Sequence, residues 1–135
     1  MLKLIIGVKG TGKTKQLIEM VNTASAQSNG SVVCIEKGTK LTYDIKHTAR
    51  LIDTDQYGIC DGQSLFGFIA GIAASNHDVT DIYIDSALKI CGNDLDSFDK
   101  FLAEVSALVD KCEINCTATV SLASDKATET IKKYL

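Results

Sequence analysis

The chain has 135 residues, of which 45% are hydrophobic. This length supports one buried core and is short for two domains, so we expect a single domain over residues 1–135. The formal net charge is −3, and the 14 basic residues are spread along the chain in runs of no more than two, which excludes the dense basic patch of a nucleic-acid-binding protein.

The N-terminal segment carries about five apolar residues before Gly7, too few for a signal peptide or a membrane span. We therefore expect a cytoplasmic protein without membrane attachment. Five cysteines, an odd number, include two in apolar strand patterns and indicate reduced thiols. A zinc site is only a minor alternative, in which His47 and His77 would complete the ligands offered by Cys112 and Cys116.

The first predicted strand is the apolar run that ends at Gly7. Residues 7–14 then read G-V-K-G-T-G-K-T, the G-x-x-x-x-G-K-T pattern of a phosphate-binding loop, and a helix-forming stretch follows. Glycines let successive N–H groups turn toward a phosphate, and the helix presents its positive end there. The predicted nucleotide-binding residues are Val8, Lys9, Gly10, Thr11, Gly12, Lys13, Thr14 and Lys15.

This strand, loop and helix resemble the P-loop NTPase superfamily. Over its whole length the chain resembles small bacterial P-loop proteins that are sometimes labelled twitching-motility ATPases. The resemblance implies a three-layer α/β/α fold with a mostly parallel sheet of about five strands, which binds ATP with Mg²⁺. Lys13 would contact the β and γ phosphates, and the Thr14 hydroxyl would be a ligand of Mg²⁺.

Residues 32–35 form a short apolar run that predicts the second parallel strand. A polar insertion follows over about residues 37–62. Within it, Leu41, Tyr43 and Ile45 alternate with polar residues and predict a small strand or hairpin.

The insertion also carries candidate functional groups. Arg50 is the only arginine of the chain. It is either a solvated surface residue or part of a segment, Lys37 to Tyr57, that changes conformation with the γ phosphate or acts across a dimer. Asp53, Asp55 and Asp61 could supply a catalytic carboxylate, although acids in polar segments are more often simply solvated.

An almost wholly apolar helix is predicted from Ser64 to Ser75. Gly67 and Gly71 lie four residues apart on it, a spacing that indicates close packing against a neighbour. We interpret the segment as a core helix on the sheet, with a helix that faces a protein partner as the alternative.

Residues 79–84 predict a further strand, and Asp85 follows it. A carboxylate at the carboxyl end of a strand beside a phosphate loop can hold Mg²⁺, so Asp85 is the candidate Walker B residue. Lys13 and Asp85 are thus the predicted catalytic residues, and Thr14 and Asp85 the predicted metal ligands. Residue 86 is Ser, where many related ATPases place a glutamate that orients the attacking water, so fast hydrolysis is not expected.

An amphipathic helix begins after the capping residues Asn93 and Asp94. The next strand, residues 114–122, has one apolar face and one polar face, which favours a place near the sheet edge. The alternative is that its polar face borders the nucleotide, with Ser121 as a sensor of the γ phosphate. Residues 125–134 predict a short final helix.

The N-K-x-D motif that reads guanine is absent, which favours ATP as the nucleotide. The leading hypothesis is an ATP-binding protein with slow or partner-dependent hydrolysis, the partner being a second copy of the chain or another protein. The single arginine disfavours a nucleotide kinase, which would clamp two nucleotides with several arginines. The alternatives are a small-molecule kinase, in which the insertion binds an acceptor hydroxyl or carboxylate, and a non-catalytic nucleotide-binding module that stabilises its own fold or regulates a partner.

Overall fold

A computed structural model describes all 135 residues. Its single sheet has five strands in the spatial order β1-β5-β4-β2-β3, and every neighbouring pair is parallel. The strands are β1 (Leu2–Gly7), β2 (Ser31–Glu36), β3 (Arg50–Asp53), β4 (Val79–Ile84) and β5 (Asn115–Ser121). The predicted α/β class and the parallel sheet of about five strands are confirmed.

Five helices connect and follow the strands. They are α1 (Lys13–Gln27), α2 (Gly62–Ser75), α3 (Ala87–Ile90), α4 (Leu95–Cys112) and α5 (Glu129–Lys132). None of them is both long enough and apolar enough to cross a membrane. As predicted, Asp94 caps α4, since its carboxylate accepts hydrogen bonds from the N–H groups of Asp96 and Ser97.

The C-terminal segment differs from the single helix predicted over residues 125–134. A 3₁₀ turn at Ser124–Lys126 is followed by extended backbone and then by the single helical turn of α5. Thr128 causes the break, because its hydroxyl accepts a hydrogen bond from the N–H of Ile131 and so starts a new helix.

Helices cover both faces of the sheet, because successive residues of a strand point to opposite sides. Val33 and Ile35 of β2 join the larger core, to which α2, α4 and α5 contribute. Val32 and Cys34 join a smaller core with α1. The layers are therefore helix, sheet and helix, with α1 on one side.

The first half of the polar insertion is built of turns, so the strand or hairpin predicted around residues 41–45 is wrong. Leu41 and Ile45 are buried four residues apart, and the N–H of Ile45 donates to the carbonyl of Leu41. Tyr43 is 99% exposed. Residues 41–45 therefore form a turn with helical spacing, which the sequence pattern imitated as a strand. The strand of the insertion is β3, which pairs in parallel with β2.

The prediction that residues 114–122 lie near the sheet edge is wrong. β5 lies between β1 and β4, and the polar face that suggested an edge is covered: Thr117 is 8% and Thr119 1% exposed. The polar residues are explained by the site that they border, described below. The outer edge of β1 is covered by the C-terminus, where the N–H of Leu4 donates to the carbonyl of Tyr134.

The close packing predicted at the glycines of α2 is also absent within this chain. Leu65 and Ile69 bury the helix in the larger core, but a Cβ at Gly67 or Gly71 would meet nothing within 4 Å. The close approach occurs instead at Gly62, where a Cβ would lie 2.8 Å from the carbonyl oxygen of Ser97 on α4.

Candidate functional site

The loop between β1 and α1 has the backbone conformation that its glycines predicted. Gly10 and Gly12 have φ angles of 88° and 86°, in the left-handed region that glycine adopts without strain. A Cβ at Gly7 would lie 2.7 Å from the Thr11 hydroxyl, so glycine is needed there for space. The helix α1 begins at Lys13 with no side chain capping its N-terminus, which leaves the first N–H groups open to an anion.

Lys13 lies folded back over this loop and is only 8% exposed. Its ammonium donates hydrogen bonds to the Val8 carbonyl at 2.9 Å and to the Thr11 hydroxyl at 3.4 Å. The Thr11 hydroxyl in turn donates to the same carbonyl at 2.8 Å. Val8 and Thr11 therefore hold the loop and its lysine in place.

Asp85 and Thr14 meet beside the loop, although 71 residues separate them. The Thr14 hydroxyl donates to Oδ1 of Asp85 at 3.0 Å. The N–H of Asp85 donates to the carbonyl of Ile35 at 2.8 Å, so the carboxylate stands at the carboxyl end of the sheet. Two oxygen donors beside a phosphate loop suit Mg²⁺, which prefers oxygen ligands.

Thr119 of β5 holds Asp85 from the other side. Its hydroxyl donates to Oδ1 of Asp85 at 3.0 Å and accepts from the N–H of Ser86 at 2.7 Å. Sequence reasoning did not single out Thr119. The signal for Thr119 was the polar face of β5, to which both Thr119 and Ser121 belong. The alternative interpretation of this strand had placed that face beside the site.

These groups line a cleft of about 480 Å³. Six of the eight predicted loop residues line it; Val8 and Thr11 do not. Ser121 also lines the cleft, at the end of β5. Five lysines and one carboxylate, Asp85, are the ionisable groups of its lining, so the cleft is strongly positive. The lysines are Lys9, Lys13, Lys15, Lys40 and Lys89.

Three further lining residues, Lys40, Lys89 and Asn93, carried no sequence signal for this site, because only the fold brings them to the loop. Lys89 lies in α3, and Lys40 and Asn93 lie in turns. Asn93 has a positive φ of 58°, and so does Ser86 with 57°, a backbone conformation that is uncommon for serine.

The other carboxylates predicted as candidates do not reach the cleft. Asp53 caps the 3₁₀ turn at Thr54–Tyr57, and Asp55 forms an ion pair with Lys37 at 2.6 Å. Asp61 caps α2, where hydrogen bonds from Ser64 lower the pKa of its carboxyl. All three have structural roles.

Glu36 is the carboxylate that sequence reasoning missed. It ends β2 beside Asp85, is 3% exposed, and its Oε2 accepts a hydrogen bond from the N–H of Leu41 at 3.1 Å. Burial raises the pKa of the Glu36 carboxyl, and the negative charges of Asp85 and Asp53 raise it further. Glu36 does not line the cleft itself.

Comparisons of the chain with protein-family models and with curated proteins found no match.

Proposed function

We propose that the protein binds ATP with magnesium in the phosphate-loop cleft and hydrolyses it slowly, and that a second copy of the chain or another protein completes the site. The observation that carries this proposal is the 3.0 Å hydrogen bond between Thr14 and Asp85. These are the two residues from which a P-loop NTPase is expected to hold its metal. The parallel sheet, with the loop between β1 and α1, supports a P-loop NTPase fold.

The chain's own groups suit a triphosphate. The open N–H groups of the loop and of α1 would bind phosphate oxygens, with Gly10 and Gly12 letting the backbone curl around them. Lys13 would exchange its bond to the Val8 carbonyl for phosphate oxygens, because an ammonium gains more from an anionic acceptor than from a neutral one. Thr14 and Asp85 would hold Mg²⁺, which supplies neutralisation of phosphate charge when bound.

Slow hydrolysis is expected because the cleft lacks both a water-orienting acid and an arginine. Asp85 is the only carboxylate of its lining, and Ser86 stands where a water-orienting acid would be expected. The only arginine, Arg50, lines a different cavity. Lys40 and Lys89 bring positive charge, but an ammonium lacks the planar fork with which arginine binds a transferred phosphoryl group.

The test is calorimetric titration with ATP and with GTP in the presence of magnesium, followed by phosphate release. Lys13→Ala should weaken ATP binding at least tenfold, because it removes the buried ammonium of the loop. Lys100→Ala is the matched control: it removes an exposed lysine of α4, away from the cleft. ATP binding that survives Lys13→Ala, or no ATP binding by the native protein, would overturn the proposal.

The dependence on a partner is tested by the rate of phosphate release per molecule at increasing protein concentration. A rate that rises with concentration supports completion of the site by a second copy. A rate that is constant at low protein concentration but rises when another protein is added supports a different partner. Fast release that depends on neither contradicts this part of the proposal.

A further inference from the structure

A second cavity, of about 630 Å³, lies on the α1 face of the sheet beside β2 and β3. Its walls are the two ends of β2, parts of β3 and the turns of residues 38–49, with four hydrophobic residues among fifteen. Most of the rest are polar, including Glu36, Asp53, His47 and Arg50. A polar cavity of this size suits a small hydrophilic ligand.

The two carboxylates of the cavity are already engaged by the chain. Oδ1 of Asp53 accepts hydrogen bonds from the N–H groups of Gly38 and Asp55, at 2.8 and 2.9 Å. Oε2 of Glu36 accepts from the N–H of Leu41 at 3.1 Å. These acids hold the turns in place, and the N–H groups that they accept from offset part of their negative charge.

Three other side chains of the cavity can donate hydrogen bonds. Arg50, His47 and Gln56 line the cavity, are exposed to solvent, and form no side-chain hydrogen bond or ion pair with another protein group. Arg50 presents a planar fork of N–H groups that matches the two oxygens of a carboxylate or a phosphate. These exposed side chains are therefore free to donate hydrogen bonds to an oxyanion.

The cavity and the phosphate-loop cleft share a wall, which we call the shared turn, residues 38–42. Thr39 and Thr42 line the cavity, whereas Lys40 and Leu41, between them in sequence, line the cleft. The bond from the N–H of Leu41 to Glu36 fixes the turn to the end of β2. A displacement of this turn by a ligand on one side would move Lys40 on the other.

We propose that the second cavity binds a small ligand bearing a carboxylate or phosphate group, held by Arg50 with His47 and Gln56, and that the shared turn couples this ligand to the nucleotide. The ligand binding stands on the geometry of the cavity alone. The coupling rests on the proposed nucleotide binding.

The binding is tested by titrating the isotope-labelled full chain with malonate and, separately, with inorganic phosphate, and recording amide NMR shifts. Saturable shifts should appear at Thr39, Thr42 and Gln56. A tighter curve with malonate indicates a carboxylate ligand, and a tighter curve with phosphate indicates a phosphate ligand. Phosphate is also expected to shift Gly10 and Gly12, and these amides report the phosphate loop separately.

Arg50→Gln should weaken the binding at least tenfold, because it removes the charge and the fork together. Arg50→Lys keeps the charge and should restore only part of the affinity, and Lys100→Ala should change nothing. The spectrum of each variant shows directly whether it is folded. No saturable shift at the cavity with either probe, or equal affinity in folded Arg50→Gln, would overturn the proposal.

The coupling is measured as the affinity for ADP with magnesium, with and without saturating malonate or phosphate, whichever binds the cavity more tightly. The same measurement on Arg50→Gln gives the change caused by the anion competing with ADP at the loop, and only the difference between the two proteins counts as coupling. A change of several-fold, matched by an equal change in the affinity for the anion when ADP is present, is the expected result. Equal affinities would refute the coupling. If ADP leaves Gly10 and Gly12 unshifted, the proposed function fails, whereas the shifts at the cavity still decide the anion site.

Discussion

Thr119→Val tests the hydrogen-bond network that places Asp85. The substitution keeps the shape of a buried side chain but removes a hydroxyl that donates to Asp85 and accepts from the N–H of Ser86. The N–H of Ser86 loses a partner in a site that is only partly open to water. A buried donor left without a partner costs about 1–3 kcal/mol. For a chain of this length, that loss lowers Tm by about 4–10 °C.

Thr117→Val is the matched control for this prediction. Thr117 lies on the same face of the same strand and is 8% exposed, but its hydroxyl takes part in no hydrogen bond of the structure. Its replacement should change the free energy of unfolding by no more than about 0.5 kcal/mol. Denaturant titration of both variants gives the comparison. Equal losses in the two would refute the role assigned to the Thr119 hydroxyl.

The remaining predictions concern the helix α2, the thiols and Glu36. Gly67→Ala should stabilise the fold by about 0.5–1 kcal/mol, since its Cβ enters open space in a helix. Gly62→Ala should destabilise it, because its Cβ would lie 2.8 Å from the carbonyl oxygen of Ser97. A loss of stability in Gly67→Ala would show that this face of α2 is occupied. A thiol reagent should modify two cysteines in the native protein, the exposed Cys60 and Cys112. The other three thiols are buried, and burial raises their pKa to about 12. Rapid reaction of a third cysteine would contradict this. Because the raised pKa makes the folded state hold the Glu36 proton more tightly than the unfolded state, charged Glu36 costs stability above its ordinary pKa. The stability of Glu36→Gln relative to the native protein should therefore rise as the pH increases above the ordinary glutamate pKa of about 4.3. A difference that does not change with pH would contradict the cause given for the shift.

The sequence predicted the elements whose signals are local. The glycine spacing predicted the conformation of the loop between β1 and α1, and neighbouring residues predicted the strand before Asp85 and the cap at Asp94. Signals of this kind need no knowledge of the rest of the chain.

The sequence did not predict which strands are neighbours, and the errors follow from that. A strand with a polar face is typical of an edge, yet β5 is internal, and the hydroxyl of Thr119 on its polar face bonds to Asp85 and Ser86 across the strands. Glu36 became a candidate only once β2 was seen beside β4. Lys40, in a turn, and Lys89, in α3, likewise reach the cleft from separate parts of the chain.

The charge of the cleft constrains what can occupy it. Its five lysines and one carboxylate leave a formal surplus of four positive charges, and no lysine of the lining forms an ion pair with Asp85. Asp85 is instead bonded to the hydroxyls of Thr14 and Thr119, so the chain does not neutralise its own lysines. Like charges held in a partly enclosed cleft repel one another, and the repulsion is relieved by a bound anion of multiple charge. This charge surplus supports the triphosphate that we propose as the ligand, with Asp85 available for the proposed metal.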